Sequence, residues 1–393
     1  MLDSAYIVGA AETPYTRHPT PGVSTSGLLV QAAREAVAAA GLRWFDVDGL
    51  GVSSFTLGPD HAVDLAWRAG LGPLSWLMED TNGGASALNM LQHAELAIRS
   101  GQASTIVLVS GDRMDAAAFR MLVEHYNRAT EEHLAPLPLT GPNALFALLT
   151  QRQMTALGLS RRDYGHIATA QRAWAGLNPG AVYRAPLSLE EYLDAPLVAP
   201  PLGRYDCVPP VSGADAIVLT AGPAGSAGSA GTGAGAAGRP VRVLAVETSI
   251  GIDDQDADGL TTGLVQAAPR AWERSGLGAS DMDVLSVYDD YPAMALAQLI
   301  DLGAIAAEDA QRDLAERIGT RRLPVNTAGG QLSAGQAGAA AGMHGVVETY
   351  RQLAGIAGER QVDDARFGVV TGYGMVLYRY GACANVAVLE GVR

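Results

Sequence analysis

The chain has 393 residues, two cysteines and a formal net charge of −14. That length supplies two or three domains and large cores, while the negative charge excludes nucleic acid and an anionic membrane as main partners. Cys207 and Cys383 are too few for a disulfide framework or a cysteine-rich zinc site, which fits a reducing cytoplasm.

In chain order, Met1–Ser4 leads into the apolar run Ala5–Ala10 without the basic start and long apolar core of a signal peptide. No run of about 18 apolar residues is present to span a membrane. Strands are predicted at Tyr6–Gly9, Gly49–Ser53, Trp76–Asp80, Thr105–Ser110 and Ala216–Thr220, with helices at Thr25–Ala40 and Ala85–Ser100. The stretch from Met114 to Gly203, rich in charge, Pro and aromatics, reads as an insertion. Residues 222–240, almost all Gly, Ala and Ser, read as a flexible connector between residues 1–221 and 241–393. Beyond it, strands fit Val241–Glu247, Val284–Tyr288, Pro324–Asn326, Phe367–Thr371 and Asn385–Leu389, with helices at Leu260–Ser275, Ala293–Leu302 and Ala334–Ala354. Strands alternating with helices give an α/β fold with sheets covered on both faces.

Both parts carry a Thr-x-Gly-Gly turn after the third strand, Thr81–Gly84 and Thr327–Gly330, which marks a duplicated unit. A strand, two glycines and a helix start expose backbone N–H groups suited to an oxyanion. Tight strand–helix packing explains such a turn equally well. Neither turn has the spacing of a phosphate loop or a dinucleotide fingerprint. A second constellation is Tyr288-Asp289-Asp290-Tyr291-Pro292 at the C-terminal end of a strand, where open α/β folds place ligands. A tyrosine beside carboxylates can relay a proton; the competing reading makes Asp289 or Asp290 the cap of a helix starting at Pro292. The seven histidines, His18, His61, His93, His125, His133, His166 and His344, lack the spacing of a helical zinc site, so no metal is expected. His344 reads as a packed or exposed residue. Both cysteines read as small buried residues, because neither follows a sharp strand-to-helix turn.

With these features in hand the chain resembles the thiolase superfamily over nearly its whole length, most closely the sterol-carrier-protein-type thiolases and their lipid-transfer-protein-like relatives. The carriers are Ile7–Tyr15, Asn178-Pro179, Asp206–Pro209 with Gly213-Ala214, the two Gly-Gly turns and the Tyr288 segment. Ser212 stands where that family usually has Asp. The resemblance implies two βαβαβαββ halves, a layered α-β-α-β-α core and an inserted loop domain over coenzyme A, in which Arg161, Arg162, Arg172 and Arg184 are candidates to meet phosphates.

The family's nucleophilic Cys position falls at Thr81 when Gly84 and Ala87-Leu88 are lined up. Its His-Asp-Cys-Phe segment reads Tyr288-Asp289-Asp290-Tyr291, its Gly-His-Pro segment reads Gly335-Gln336-Ala337, and its Gly-rich C-terminal turn reads Val370–Met375 with Tyr373. A Thr hydroxyl with no adjacent His is a poor acyl acceptor. The resemblance is then to relatives lacking the Cys, aldolases of β-hydroxyacyl-CoA thioesters in steroid side-chain breakdown, which share Tyr288 but carry a second Tyr where this chain has Gln336.

The expected catalytic residues are Tyr288, Asp290, Gln336 and Thr81, and the expected substrate contacts Gly83, Gly84, Gly330, Ser333, Tyr291 and Tyr373. In this reading Tyr288, relayed by Asp290, takes the β-hydroxyl proton, and Gln336 with backbone N–H groups holds the enolate. A coenzyme A thioester is substrate, no cofactor is bound by the chain, and a homodimer and a small zinc-ribbon/OB-fold partner protein are implied. An acyltransferase and a catalytically silent thiolase-like binding subunit remain the rival readings.

Overall fold

The computed structural model describes residues 4–58, 61–124, 141–223, 238–251, 260–377 and 380–392. Most of the expected connector, residues 224–237, lies outside the described residues, as do His125 and His133.

In the first half, β1 (Tyr6–Glu12), β2 (Gly49–Ser53), β3 (Trp76–Glu79), β4 (Thr105–Asp112) and β5 (Gly213–Thr220) alternate with α1 (Thr25–Ala39), α2 (His61–Ala69) and α3 (Ser86–Ser100). The second half contributes β6 (Val241–Ile250), β7 (Val284–Ser286), β8 (Phe367–Leu377) and β9 (Tyr380–Gly391). The nine strands run β3-β2-β4-β5-β1-β6-β9-β8-β7. Read outward from the central β1–β6 pair, both halves give the same ladder. The first strand pairs antiparallel with the last, the last antiparallel with the one before it, and that one parallel with the second. The duplication expected from the two Gly-Gly turns is therefore present in the strand order.

The third strand of the second half is the exception. Pro324–Asn326, expected as a strand, makes one parallel bridge, Leu285 with Val325. Asn326 then turns into left-handed backbone, with φ of 51°, and its side chain grips both the N–H and the C=O of Val287 at 2.8 and 3.0 Å. A residue committed to that grip cannot continue a ladder.

Ala-rich helices let the layers approach closely. Helix α3 buries Ala87, Leu88, Met90, Leu91, Ala94, Ala97 and Ile98, more than one stripe, because it lies between the two halves of the sheet. With Met343, Val346, Val347, Tyr350 and Leu353 it packs against Ile106, Leu108, Ile217 and Leu219 of one half and Val243, Val284, Val370 and Leu389 of the other. Each such large side chain contributes roughly 1.5–3 kcal/mol on burial. Outer layers complete the five-layer core: α1 and α2 cover the first half, and helices Leu264–Ser275 and Pro292–Asp301 cover the second.

The helix expected over Ala334–Ala354 is three pieces: a short helix Gly330–Ala334, a turn, and a long helix Ala341–Ala354. Gly335 stands at φ 119° and breaks the helix. Gln336 is clipped between strand-like neighbours, its N–H donating to Pro209 O at 2.9 Å and its C=O accepting from Val211 N at 3.0 Å. The long helix is thus the counterpart of α3, displaced from its Gly-Gly turn by an extra segment that carries Gln336. Among the described residues between β4 and β5 lie the longer helices Ala116–Glu124, Gly141–Leu157 and Arg161–Gly176, a short helix Leu189–Asp194 and a small hairpin.

Candidate active site

At the C-terminal ends of β4, β7 and β8 the structure encloses a cavity of about 250 Å³ whose wall includes Gly83, Gly84, Tyr288, Asp290, Tyr291, Gln336 and Tyr373. These seven expected site residues come from four segments, the outermost of which, at Gly83 and Tyr373, are about 290 positions apart.

Tyr288 is positioned by its backbone. Its N–H donates to Thr371 Oγ1 at 3.1 Å, its C=O accepts from Gln298 Nε2 at 2.6 Å, and Thr371 donates to Gln298 Oε1 at 2.6 Å. The ring lies on Gly84: a Cβ there would come within 2.0 Å of Tyr288 Cε2 and 2.5 Å of the Tyr373 carbonyl oxygen. No side chain larger than hydrogen fits between the Gly-Gly turn and the phenol. Gln336 Nε2 lies 3.4 Å from the phenol oxygen and donates to Gln331 Oε1 at 3.0 Å. Tyr291 stacks on Phe146 at 4.2 Å and donates to Asn143 Oδ1 at 2.6 Å.

The two neighbouring aspartates have separate tasks. Asp289 points away from the cavity and accepts the N–H groups of Gln331 and Leu332 at 3.0 and 3.4 Å. It therefore caps the short helix at Gly330, not the helix starting at Pro292, whose N-cap is Tyr291 with no side-chain cap bond. Asp290 lines the cavity, 8% exposed, and its Oδ1 has no hydrogen-bond partner among the described residues. Burial, reinforced by the charge of Asp289, pushes its pKa up to about 8.

Three expected site residues are elsewhere. Thr81 is exposed and off the cavity wall. Gly330 is off this cavity wall, and the Gln331 and Leu332 N–H groups that follow it bond to Asp289. Ser333 is buried on another face, where its Oγ accepts from Arg172 Nε at 3.0 Å. Arg172, a candidate phosphate contact, is itself buried and lies over the Tyr183 and Tyr205 rings; Arg161 is bound to the C=O of Leu193 at 3.0 Å. Arg184 donates to the Gly176 carbonyl oxygen from an exposed position.

Sequence reasoning missed the opposite wall. Asp112, at the end of β4, is fully buried and gathers the Ser54 and Thr56 hydroxyls and the Phe55 and Thr56 N–H groups on Oδ1 at 2.7–2.9 Å, and Ala339 N–H on Oδ2 at 2.8 Å. One carboxylate thus fixes Phe55 to the wall and ties it to the segment after Gln336. Its place at a strand's C-terminal end was the available signal. Ser212, where the resemblance expects Asp, holds Met114 N–H at 2.8 Å. With Phe119, Leu122 and Val208, Phe55 and Met114 make most of this wall apolar.

Both cysteines are free, and neither is an activated nucleophile. Cys207 is half-buried on the cavity wall, where burial pushes its pKa up to about 12; Cys383 is buried beside Asn89, its pKa pushed up to about 11. Among the described residues the grouping with metal-ligand character is Glu12, Asp215 and His344, with donor atoms within 4.8 Å of one another. Glu12 there is already shared by His344 and Arg351, and Asp215 accepts the Tyr15 hydroxyl. The cluster is an ion-pair network.

Residues 247–389 match the family model described as thiolase C-terminal domain-like. Over 371 residues the chain is 32% identical to the 17-hydroxy-3-oxo-4-pregnene-20-carboxyl-CoA lyase of Mycobacterium tuberculosis, covering 89% of this chain and 92% of that protein. The chain belongs to the thiolase superfamily. Within it, the steroid side-chain-cleaving aldolase of Thermomonospora curvata is 29% identical over 95% of this chain and 96% of its own length. Among solved structures, the Ltp2-ChsH2(DUF35) aldolase superposes with a TM-score of 0.83 at 25% identity, covering 99% of this chain and 98% of that one. The Gly-Gly turn of this thiolase-superfamily chain holds no cysteine, and the cavity wall brings together a phenol, a carboxyl and a carboxamide.

Proposed function

We propose that this chain is a carbon–carbon lyase of the thiolase superfamily, cleaving or forming the bond between the α and β carbons of a β-hydroxyacyl-CoA thioester without a cysteine acyl-enzyme. The observation that carries this reading is that Tyr288 and Asp290, whose buried Oδ1 has no partner among the described residues, line one cavity whose cysteine is held as a thiol. The relatives named as a CoA lyase and an aldolase support it.

In the cleavage direction the β-hydroxyl proton passes to the Tyr288 oxygen as the phenol proton passes to the Asp290 carboxylate. The Cα–Cβ bond then breaks, its electron pair moving into the thioester as an enolate while the β carbon becomes a carbonyl. The Gln336 amide and the N–H groups at Gly83 and Gly84 hold the enolate oxygen. Gln336 donates a hydrogen bond and carries no proton at neutral pH, so the carbon acid is re-formed by a proton from solvent or from Asp290. Protons balance over the cycle.

The apolar wall of Phe55, Met114, Phe119 and Leu122 suits a bulky apolar acyl group, in line with the steroid substrates named for the relatives. A small zinc-ribbon/OB-fold partner belongs to this reading, supported by the DUF35 component of the aldolase structure. So does a homodimer through the edge strand β3, where Leu77 is 41% exposed and Trp67 of the adjoining helix 80%. No described helix is long and apolar enough to cross a membrane; a cytoplasmic setting rests on the two free cysteines.

The test is chromatography of a reaction with a β-hydroxyacyl-CoA, with and without a DUF35-type partner. Equal amounts of a shortened acyl-CoA and a carbonyl compound are expected. No cleavage in either arm, across linear and polycyclic substrates, overturns the reading.

A further inference from the structure

His344 is on the long helix Ala341–Ala354, where it borders two cavities that the proposed reaction does not use. The outer one, about 740 Å³, is also lined by Glu12, Tyr15, Arg184 and Arg351. The inner one, about 20 Å³, has room for one water and is lined by Asp289, Tyr288, Gln331, Asn326, Glu348 and Thr371. The imidazole is 4% exposed; its Nδ1 is 2.6 Å from Glu12 Oε1, and its buried Nε2 has no partner among the described residues.

We propose that His344 is a positioning residue for the reaction cavity: across the inner cavity it keeps Asp289 charged, and Asp289 holds the turn that aims Gln336 at the substrate. The proposal rests on the reading that the cavity holding Tyr288 and Gln336 is the site of reaction.

The chain of contacts is continuous in chemistry. Arg351 and His344 share the carboxylate of Glu12, which pins the ring. Despite burial, the adjacent Glu12 raises the His344 pKa to about 9, with Asp215 and Glu348 adding to it, so the ring is a cation at neutral pH. Asp289 is pushed up to about 7 by burial, against which the Gln331 and Leu332 N–H bonds and the charge of His344 act. The other charged or titratable groups facing the ring are accounted for. Tyr15 lies 5.8 Å away, donating to Asp215, and Glu348 is paired with Arg360 at 2.9 Å. Asp289 has Asp290 as its neighbour, whose charge opposes its own. When Asp289 takes a proton it loses the charge that holds the start of the segment Gly330–Gln336. Without the His344 cation that happens at higher pH.

The experiment is hydrogen exchange of the peptide spanning residues 329–337, followed from pH 5.5 to 9 in the intact protein and in His344→Gln, after correction for the intrinsic exchange rate. Protection in the wild type is expected to fall below about pH 7, and in the variant about one pH unit or more higher. Glu12→Gln keeps the imidazole and strips its partner, and it is expected to move the profile in the same direction. A second limb of the lyase rate, below the one set by Asp290, moves in step with the exchange profile. Profiles superimposable in wild type and both variants overturn the proposal, whatever their melting temperatures. If the exchange profile shifts while no form cleaves a β-hydroxyacyl-CoA, the positioning role stands and the lyase reading falls.

Discussion

An Asp290→Asn variant is expected to melt several degrees above the wild-type chain at pH 8 and by a much smaller margin at pH 5, while its lyase rate falls at least about 100-fold. The stability half follows from linkage. In the unfolded chain Asp290 loses its proton near the ordinary carboxyl value of 3.8, whereas in the folded chain it keeps it until about pH 8. Between those values the unfolded state is the more ionised one, so stability falls as pH rises, by up to about 1.4 kcal/mol per pH unit. By pH 8 the sum is on the order of 5 kcal/mol, an upper figure for a cavity that admits water. Asn does not titrate, fills the same space and escapes this penalty. The activity half follows from chemistry, since Asn cannot hold the relayed proton. In the wild type the cleavage rate rises with pH as Asp290 ionises, reaching half its plateau near pH 8; in the variant this rise is lost. Calorimetry and initial rates at the two pH values check both halves, and a variant less stable than wild type at pH 8 contradicts a carboxyl whose burial holds its proton.

Tyr288→Phe is expected to lower the cleavage rate by about 10²–10⁴-fold and to leave the affinity for the shortened acyl-CoA within about threefold, a small energy difference. The ring stays where it is, because Thr371, Gln298 and Asn326 hold the backbone at Val287 and Tyr288 without using the phenol oxygen. What is lost is the oxygen beside Gln336 that takes the substrate proton. Rates and product binding measured on the same preparation separate the two effects, and a variant with wild-type rate removes Tyr288 from the chemistry.

Much of the fold was legible because its signals are local. Strand β2 was read at its observed limits, Gly49–Ser53, and α1 and α3 to within a residue at each end, since their apolar spacing and flanking Ser or Gly are contained in the segment. Helix α2 escaped notice because nine residues with three buried positions, Ala62, Leu65 and Ala69, make too short a pattern. The split of Ala334–Ala354 was invisible for a different reason. The residue that interrupts it, Gln336, is held by Pro209 and Val211 across the fold, and no local propensity encodes that contact.

The site divides in the same way. Tyr288, Asp290 and Tyr291 were readable as a motif at a strand end, and Gly83 and Gly84 as a turn. Asp289 was readable as a cap but not as the cap of another helix 40 residues on, and Asp112 gathers its five donors from two distant segments. Thr81, Gly330 and Ser333 lie off the wall of the cavity that holds Tyr288, because a turn keeps its sequence while its N–H groups and side chains find other partners in this chain.

The most direct test is the mass of the intact protein recorded during turnover of a β-hydroxyacyl-CoA in D₂O, with the products analysed from the same mixture. Tyr288–Asp290 proton transfer without an acyl-enzyme predicts an unmodified 40.7 kDa chain, equal amounts of carbonyl compound and shortened acyl-CoA with one deuterium on its α carbon, and no need for added coenzyme A. A chain heavier by an acyl group, with product release that depends on free coenzyme A, would contradict it.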